Sequence, residues 1–598
     1  MSRDQLRASQ VVTTFGPGAM VDLPEASILV AGLDHWHYDL NQIPMVEEPR
    51  LVAKLRDLLG IPSLTLRRPP PANDFPGGPR PSVTGWRFPA WFIVQRTEFS
   101  ARGHRRRRLV PLSSLNNNRF TDRDGKKLSV VPVRFVRACT RGHIGDIDWK
   151  AFVHGEGDSC VRDLWLEERG TTGELDDVIV ACDCSKTRAM SQAARLALKA
   201  LGSCNGARPW LGPGTREACG EPNRLLIRSA SNAYFAETLS VISIPDSRSP
   251  IDDLVRGLWD DFLSDVETAA DLVKVRAKPT VQARLAGADG AQILVSIQRV
   301  RAGGAGLDRS VKEVEFEALS EAREGLGVDE PDGVFFARAL PGPAWQASWM
   351  AAVDRVVLVH RLREVVAQVG FTRFEAASTD TEGELALDVK RALLGLNAQW
   401  LPAIENKGEG VFLSFRPDLI DAWAERPAVQ ARGRELLAGF DRWKKDHDGS
   451  KREFPGLPYV MLHTFSHLLL TAISLECGYP ASSLRERVYA APGRYGVLIL
   501  TGSSDAEGTL GGLVLAGRDI RRHLHRALAS GALCSNDPVC AFHSPARHDH
   551  QPLLGGACHG CVLASETSCE QRNDFLDRSL VVPTLQSPDA AFFPRVGL

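Results

Sequence analysis

Apolar runs in the first part of the chain predict short strands that end in cysteine-bearing turns. The segment 131–149, VPVRFVRACTRGHIGDIDW, begins as a strand and then enters a turn that carries Cys139. The segment 175–185, LDDVIVACDCS, predicts a strand that ends at Cys182 and Cys184. Strand ends therefore present thiols in both segments.

Later segments have mixed periodicity. Apolar residues recur at helical spacing in 252–274, DDLVRGLWDDFLSDVETAADLVK, and in 351–370, AAVDRVVLVHRLREVVAQVG, so both are predicted helices. The segment 396–415, LNAQWLPAIENKGEGVFLSF, resembles a strand–turn–strand unit. Further helices are predicted around 416–445 and 461–476.

A buried strand, a glycine-rich loop and an apolar return are predicted over 494–517. The loop, SSDAEGTLGGL at 503–513, looks like a phosphate-cradling loop. No Lys-Ser/Thr pair follows its glycines, so it is not a nucleotide P-loop. We interpret it as a tight turn between strands.

The overall pattern predicts an α+β, multi-domain protein with small zinc-binding modules and a mixed α/β C-terminal domain. A chain of 598 residues is long enough for several domains. The predicted units are an N-terminal domain at 1–100, a zinc-binding strand-rich module with a basic loop at 101–250, a mainly helical region at 251–395, and a C-terminal domain with a cysteine-rich zinc tail at 396–598.

The charge and hydropathy of the chain limit which cellular compartment and which binding partners are compatible with it. The formal net charge is −1, so any surface for nucleic acid must be local. The first residues lack the apolar core of a signal peptide, and no apolar run is long enough to span a membrane. We therefore expect a cytoplasmic protein, in which clustered thiols bind metal more often than they form disulfides.

The twelve cysteines form two groups, with none between Cys219 and Cys477. In the first group, a close pair and two later cysteines have the spacing at which thiolates converge on a tetrahedral ion. We predict one structural zinc bound by Cys182, Cys184, Cys204 and Cys219.

A separate cysteine–histidine pair precedes these residues. Three residues separate Cys139 from His143, and His154 and Cys160 lie nearby in the sequence. This region is either another zinc site or a turn that packs against the first one.

In the tail, Cys558 and Cys561 form a Cys-x-x-Cys pair, with Cys569 as a third predicted zinc ligand. Cys540 is favoured as the fourth ligand and Cys534 is held in reserve, because five cysteines compete for four places. A redox pair is the main alternative, but such a pair usually opens a helix in a thioredoxin-like unit.

Both predicted zinc sites are closed and all-sulfur, which favours a structural role over catalysis. His463 and His467 share one face of a predicted helix, at a spacing that can hold a metal. We favour partly buried histidines that bond to backbone or carboxylate groups. The alternative is a metal-dependent phosphodiesterase in which carboxylates join the two histidines; the candidates are Glu405, Glu409, Glu476 and Glu486.

Four consecutive arginines, Arg105, Arg106, Arg107 and Arg108, form the most basic run in the chain. Guanidinium groups pair bidentately with phosphates, so this run is the predicted contact to nucleic acid. A solvated loop is the alternative.

Short motifs in a specific order resemble the DrmB family of the bacterial DISARM anti-phage system, through nearly the whole chain. The motifs are RASQVVTTFGPGAMVDLP, RACTRGHIGDIDW, IRSASNAYF, HRLREVVAQVGFTRFE, WLPAIENKGEGVFLSF, HTFSHLLL, LRERVY, YGVLILTGSSDAEGTLGGLV and CHGCVLASETSCE. The C-terminal part also resembles a domain attached to certain superfamily 2 DNA helicases.

The resemblance implies a non-catalytic subunit that forms a heterodimer with the helicase-like protein DrmA and helps it bind phage DNA. ATP hydrolysis and translocation would then belong to DrmA. A zinc-stabilised scaffold without DNA contact is a further hypothesis.

Overall fold

The computed structural model describes residues 6–596 with internal gaps. The gaps are residues 24–25, 38–43, 71–81, 101, 171–172, 245–250, 252–253, 256, 286, 302–308, 325–332, 377–379, 381, 384–390, 448–449, 451, 502–510 and 548–550. The glycine-rich loop predicted at 503–513 therefore lies mostly outside the described residues.

The strands of the described part of the chain are short in its first third and long in its centre. They are β1 (Met20–Asp22), β2 (Ser27–Val30), β3 (Thr65–Arg67), β4 (Gly85–Arg87), β5 (Trp91–Val94), β6 (Glu98–Phe99), β7 (Arg105–Pro111), β8 (Leu115–Asn116), β9 (Arg119–Thr121), β10 (Lys127–Pro132), β11 (Phe135–Ala138), β12 (Ile144–Gly145), β13 (Leu164–Glu168), β14 (Val178–Cys182), β15 (Thr187–Ala189), β16 (Arg224–Ile227), β17 (Phe235–Ile242), β18 (Phe336–Ala339), β19 (Val353–Thr372), β20 (Trp400–Phe415), β21 (Leu484–Ala491) and β22 (Arg494–Thr501).

The longest α-helices in the described part of the chain follow β20. The α-helices are α1 (Ala8–Thr13), α2 (Pro49–Leu59), α3 (Trp149–His154), α4 (Ser191–Ala194), α5 (Ala269–Arg276), α6 (Pro279–Leu285), α7 (Gly290–Arg301), α8 (Val311–Ser320), α9 (Gly342–Trp345), α10 (Pro417–Ala424), α11 (Pro427–Asp446), α12 (Leu457–Cys477), α13 (Gly512–Arg518) and α14 (Ile520–Gly531). The predicted α+β class is confirmed, and so are the helices predicted around 416–445 and 461–476.

A seven-stranded sheet forms the centre of the molecule. Its order is β17-β19-β20-β22-β21, with β18 beside β19 and β3 beside β20. Only β3 runs parallel to its neighbour. The sheet draws strands from each of the four predicted domain segments, whose boundaries stay a prediction.

The helix predicted at 351–370 is wrong, because this segment is the central strand β19. Its many β-branched valines favour a strand, and both of its faces are mostly buried. A strand covered on both faces has a continuous apolar run, which periodicity alone does not distinguish from a buried helix.

The strand–turn–strand unit predicted at 396–415 is also wrong, because Trp400–Phe415 is one continuous strand. The polar residues that suggested a turn are buried in the sheet. Asn406 is 2% exposed, and its Nδ2 donates to Glu364 on β19 at 3.1 Å. Gly408 does not make a turn; an added Cβ would lie 2.1 Å from Oγ1 of Thr501, so the close approach of β22 requires glycine.

Helix α12 covers one face of this sheet and packs against β21, β22 and α14. It is the one helix in the described ranges that is apolar and long enough to cross a membrane. However, 72% of its apolar window is buried inside the protein, as is typical of a core helix. Tyr459 and Phe465 on α12 are fully buried.

A nine-stranded sheet and a three-stranded sheet carry the first cysteine group. The larger sheet has the order β15-β14-β13-β7-β5-β10-β9-β8, with β6 beside β7, and the smaller one is β12-β11-β16. The strands predicted before Cys139 and Cys182 are confirmed as β11 and β14. Both cysteines therefore occupy the strand ends that the sequence indicated.

Arg373 joins the central sheet to the cysteine-bearing turn after β11. Its guanidinium group is 1% exposed and donates to the carbonyl oxygens of Gly142 at 3.0 Å, Ala233 at 2.6 Å and Gly18 at 2.6 Å. Burial lowers the pKa of Arg373 to about 10, which still leaves it charged at neutral pH. One side chain thus holds three segments that are distant in the sequence.

We predict that Arg373→Met lowers the free energy of unfolding by about 3 kcal/mol, because three buried carbonyl groups lose a charged donor. A thermal melt of the full chain measures the effect. The matched control is Arg338→Met, which removes a half-buried guanidinium over the ring of Phe336 and should cost less than about 1 kcal/mol. Equal shifts in melting temperature for the two variants would contradict the prediction.

Candidate metal centres

Four groups of four donor side chains lie within the described residues, each with its ligand atoms within 4.8 Å of one another. We name each group after one member. The Cys139 cluster contains Cys139, His143, Cys204 and Cys219; the Cys182 cluster contains His154, Cys160, Cys182 and Cys184; the Cys558 cluster contains Cys534, Cys540, Cys558 and Cys561; and the His463 cluster contains His463, His467, Glu486 and Cys569.

The sulfur spacing in these clusters matches that of a tetrahedral zinc site. With zinc–sulfur bonds of about 2.3 Å, tetrahedral geometry places neighbouring sulfurs about 3.8 Å apart. In the Cys558 cluster, the Sγ atom of Cys561 lies 3.7 Å from those of Cys540 and Cys558. Cys160 and Cys182 are also 3.7 Å apart, which is too far for a disulfide, and all twelve cysteines are free thiols.

The structure divides the four cysteines of the first predicted site between two clusters. Cys182 ends β14 opposite Leu164 of the neighbouring strand β13, and its Sγ lies 3.7 Å from that of Cys160. Cys204 and Cys219 instead join the turn after β11, where Cys139 Sγ is 4.0 Å from Cys219 Sγ. The region around Cys139 thus contains donors for two metal ions rather than a packing turn.

The Cys139 cluster depends on a glycine in its second loop. The N–H of Gly206 donates to Sγ of Cys204 at 3.3 Å, which favours the thiolate. Gly206 has a φ of +67°, and an added Cβ would lie 1.7 Å from the carbonyl oxygen of Glu217. Any other side chain at this position would push the loop away from the cluster.

His143 has two different partners on its ring. Its Nδ1 faces Sγ of Cys139 at 3.3 Å and Sγ of Cys204 at 3.5 Å, while Nε2 lies 2.9 Å from Oε1 of Glu217. Glu217 also pairs with Arg141 at 2.9 Å. A carboxylate that accepts the Nε2 proton leaves the Nδ1 lone pair available to a metal, as second-shell carboxylates do in zinc proteins.

The same arrangement occurs in the Cys182 cluster. Nδ1 of His154 lies 2.9 Å from the carbonyl oxygen of Lys150, and Nε2 lies 3.2 Å from Sγ of Cys184. Two cysteines of this cluster differ in thiol pKa. Burial raises the pKa of Cys182 to about 12, whereas a hydrogen bond from the backbone N–H of Lys186 lowers the pKa of Cys184 to about 6. A cation is needed to deprotonate Cys182 together with Cys184 at neutral pH.

The structure places one member of the predicted tail site outside the Cys558 cluster. Both Cys534 and Cys540 join Cys558 and Cys561, so no cysteine in this group is a bystander. Cys569 is placed elsewhere, because the backbone on either side of it pairs with the start of β21: Glu486 N donates to Ser568 O at 3.0 Å. The N–H of Glu570 donates to the Glu486 carboxylate at 3.2 Å.

The His463 cluster is the most deeply buried of the four. His463 is 0% exposed, His467 1% and Glu486 3%. The predicted contacts of the two histidines with backbone groups are present. Nδ1 of His463 lies 3.3 Å from Phe575 O, and Nδ1 of His467 lies 2.9 Å from Val562 O.

Both Nε2 atoms of this cluster face the carboxylate of Glu486. Nε2 of His463 lies 2.9 Å from Glu486 Oε1 and 3.1 Å from Cys569 Sγ, and Nε2 of His467 lies 3.3 Å from Glu486 Oε1. Burial alone would raise the pKa of Glu486, but the two imidazoles hold it well below its usual value. An imidazole lone pair that faces a carboxylate or a thiolate needs either a proton or a metal ion between the two atoms. Imidazole, carboxylate and thiolate groups are all zinc ligands, so this donor set fits zinc.

Sequence reasoning raised a metal at His463 and His467 only as the alternative, with Glu486 among four candidate acids, and missed Cys569 as a member of this cluster. The unused signal was the surplus cysteine of the tail. Five cysteines for a four-ligand site leave one over, and a His-x-x-x-His helix is a place where the extra thiol can be a ligand.

A buried glutamate side chain contacts the described end of the glycine-rich segment after β22. The carboxylate of Glu409 accepts from the N–H groups of Gly511 and Leu513, both at 2.7 Å, and Tyr479 donates to it at 3.1 Å. Glu409 is 1% exposed. The chain's own acid thus occupies the start of α13, which is a helix and not the predicted returning strand.

The arginine run is a strand rather than a loop, and three of its members have acidic partners. Arg106 lies 3.1 Å from Asp183, Arg107 lies 2.8 Å from Glu168, and Arg108 pairs with Asp163. Arg106 also stacks on Trp165 at 3.9 Å from the ring centroid. Arg105 is exposed. The run stays a predicted DNA contact, with much of its charge neutralised within the protein.

Comparisons with known proteins agree with these clusters. Residues 7–235 match a domain of unknown function, DUF8724, and residues 465–562 match the MrfA Zn-binding domain. The second match includes every member of the Cys558 cluster together with His467 and Glu486, and the predicted zinc cofactor is thereby confirmed. The chain is 33% identical over 479 residues to the DISARM protein DrmB of Bacillus paralicheniformis, a match that covers 77% of this chain and 82% of that protein.

We predict four zinc ions per chain, one for each cluster, rather than the two or three that the sequence indicates. Elemental analysis of the purified full chain measures the number. A value of three in which Glu486→Gln removes no further metal would contradict zinc binding by the His463 cluster.

Double variants test which donors share an ion. Cys534→Ser with Cys569→Ser should remove two zinc ions, because these residues belong to different clusters. The matched control, Cys534→Ser with Cys540→Ser, should remove only one. If both doubles remove the same amount of zinc, the division of the tail cysteines is wrong.

Proposed function

The chain belongs to the DrmB family of DISARM anti-phage proteins, and from this premise we propose that it is a non-catalytic subunit that partners a DrmA-like helicase on phage DNA in the cytoplasm. The observation that carries the proposal is the 33% identity to DrmB over 77% of the chain. The family gives an accessory role in anti-phage defence; the heterodimer and the DNA contact are our proposal.

The donor sets support a structural role for the metal. A hydrolytic zinc keeps an open position for water, whereas each cluster offers four protein ligands. The phosphodiesterase alternative would use His463 and His467, but their side chains are at most 1% exposed. A phosphodiester could reach them only after helix α12 separates from β21.

The C-terminal region is the proposed docking region for the helicase. Residues 465–562 match the MrfA Zn-binding domain, and this region resembles a domain that is attached to certain superfamily 2 helicases. The Cys558 cluster joins the segment after α14 to the tail, and the His463 cluster joins the tail to α12 and β21. A rigid zinc-bound surface suits docking because it loses little entropy when a partner binds.

DNA contact is proposed through local basic surface, since the whole chain has a net charge of −1. Within the arginine run, exposed Arg105 is the member best placed to reach a phosphate. Arg106, Arg107 and Arg108 would first have to leave their carboxylate partners. A zinc-stabilised scaffold without DNA contact is the competing hypothesis.

Coexpression with the helicase subunit of the same defence system tests the proposal. We expect the two proteins to co-elute in gel filtration as a heterodimer. The complex should bind DNA with an affinity that falls steeply with salt, through the release of counterions from phosphates.

Separate elution of the two proteins would contradict the partnership. Co-elution without any DNA binding would instead favour the scaffold hypothesis. DNA cleavage in the presence of Mn²⁺ that is lost in His463→Ala would favour the phosphodiesterase over both.

A further inference from the structure

Helix α14 separates its apolar and basic residues onto opposite faces. Ile520, Leu524 and Leu528 are at most 1% exposed and belong to the core that includes Leu468 of α12. An added Cβ at Gly531 would lie 2.7 Å from Leu468, so the two helices are in close contact. The orientation of α14 is therefore fixed by its packing.

The outer face is basic. Arg521, Arg522 and Arg526 are exposed, with His525 half-buried between them, and Arg518 is exposed at the end of the preceding helix α13. Arg521, Arg522, His525 and Arg526 follow an i, i+1, i+4, i+5 pattern, which places them along one side of α14, and Arg518 lies two residues before the start of α14. Residues four apart are separated by about 6 Å along the axis.

Two carboxylates face this stripe. Glu476, at the end of α12, lies 2.6 Å from Arg526 and 3.5 Å from Arg522, and Asp519 lies 3.8 Å from Arg522. Arg522 remains 67% exposed and Arg526 47% exposed despite these pairs. Arg518 and Arg521 have no acidic partner among the residues that the structure describes.

The stripe differs in this respect from the arginine run on β7. There, three consecutive guanidinium groups have carboxylate partners and are about a quarter exposed. On α13 and α14, four guanidinium groups and an imidazole share two carboxylates. The larger uncompensated positive charge therefore lies on the helices.

An aromatic ring borders the stripe. The indole ring of Trp349 is half-buried and meets the ring of His525 edge-on, with 5.9 Å between their centroids. Basic residues beside an aromatic ring are typical of surfaces that bind single-stranded nucleic acid, because the bases stack while the cations hold the phosphates.

From these observations we propose that Arg518, Arg521, Arg522 and Arg526 form the main surface with which this chain binds the phosphates of DNA. The inference rests on the proposed DNA contact and assigns it to a surface other than the arginine run. Guanidinium groups suit phosphate because their planar donors bind two oxygens together. The Cys558 cluster, whose first ligand is Cys534, begins directly after α14 and anchors the end of the stripe.

The test uses the full chain in complex with its helicase subunit. A fluorescent single-stranded oligonucleotide and a duplex of the same length are titrated at several salt concentrations. The test variant is Arg518→Gln with Arg521→Gln, which removes two charges without breaking an ion pair among the described residues. The matched control is Arg119→Gln with Lys127→Gln, which removes two charges from exposed residues on the paired strands β9 and β10.

We expect the test variant to bind DNA about tenfold more weakly or worse. The slope of log affinity against log salt should become shallower by about 1.4 for the single strand and about 1.8 for the duplex, the values for two lost phosphate contacts. The control should change affinity less than twofold. Zinc content and melting temperature should match the wild type in both variants.

Wild-type affinity and salt slope in the test variant would overturn the assignment while leaving the proposed function intact. Loss of helicase binding by the test variant, with DNA binding by the isolated chain unchanged, would also overturn it and identify a protein-docking face. If the wild-type complex binds no DNA at any salt concentration, the proposed DNA contact fails and this assignment fails with it.

Discussion

Close approach of thiol and imidazole donors is the constraint on which the architecture depends. Within each cluster, atoms that carry lone pairs or negative charge face one another across less than 5 Å. Burial raises the pKa of Cys139 to about 12, so this thiol is protonated at neutral pH when no cation is present. Zinc removes the repulsion, and the free energy of metal binding then contributes directly to folding.

Each cluster also closes a long loop of the chain. The Cys139 cluster joins the turn after β11 to a loop near residue 204, and the His463 cluster joins α12 to the tail at residue 569. Because the entropic cost of loop closure grows only slowly with length, one ion can hold segments that are far apart in the sequence. Arg373 extends this connection from the Cys139 turn to the central sheet. The clusters and Arg373 together connect segments from distant parts of the sequence.

The fold class, the strands that end in cysteines and the apolar helix α12 could all be predicted from local pattern, because each follows from its own residues. The grouping of the ligands could not be predicted, because zinc requires proximity in space. Cys182 lies nearer to Cys204 than to His154 in the sequence, and no recognised motif links Cys182 to His154. The local pattern also predicts a helix in place of β19 and a strand–turn–strand unit in place of β20, and the reason is related. The burial of their faces comes from elements far away in the chain, such as α1 and α13, which pack against both strands, and Asn406 is acceptable in a strand only because Glu364 lies beside it.

A run of like charges in the sequence does not by itself give a charged surface. On a strand, consecutive side chains alternate between the two faces, so Arg105–Arg108 divides its charge between them. Neighbouring strands then supply acids at matching register, as Glu168 on β13 does opposite Arg105. On a helix, residues spaced by three and four keep the same face. Arg521, Arg522 and Arg526 attract less notice in the sequence, yet helical geometry gathers their charge on one side of α14 while the opposite side is held in the core, and Arg518 ends the preceding helix.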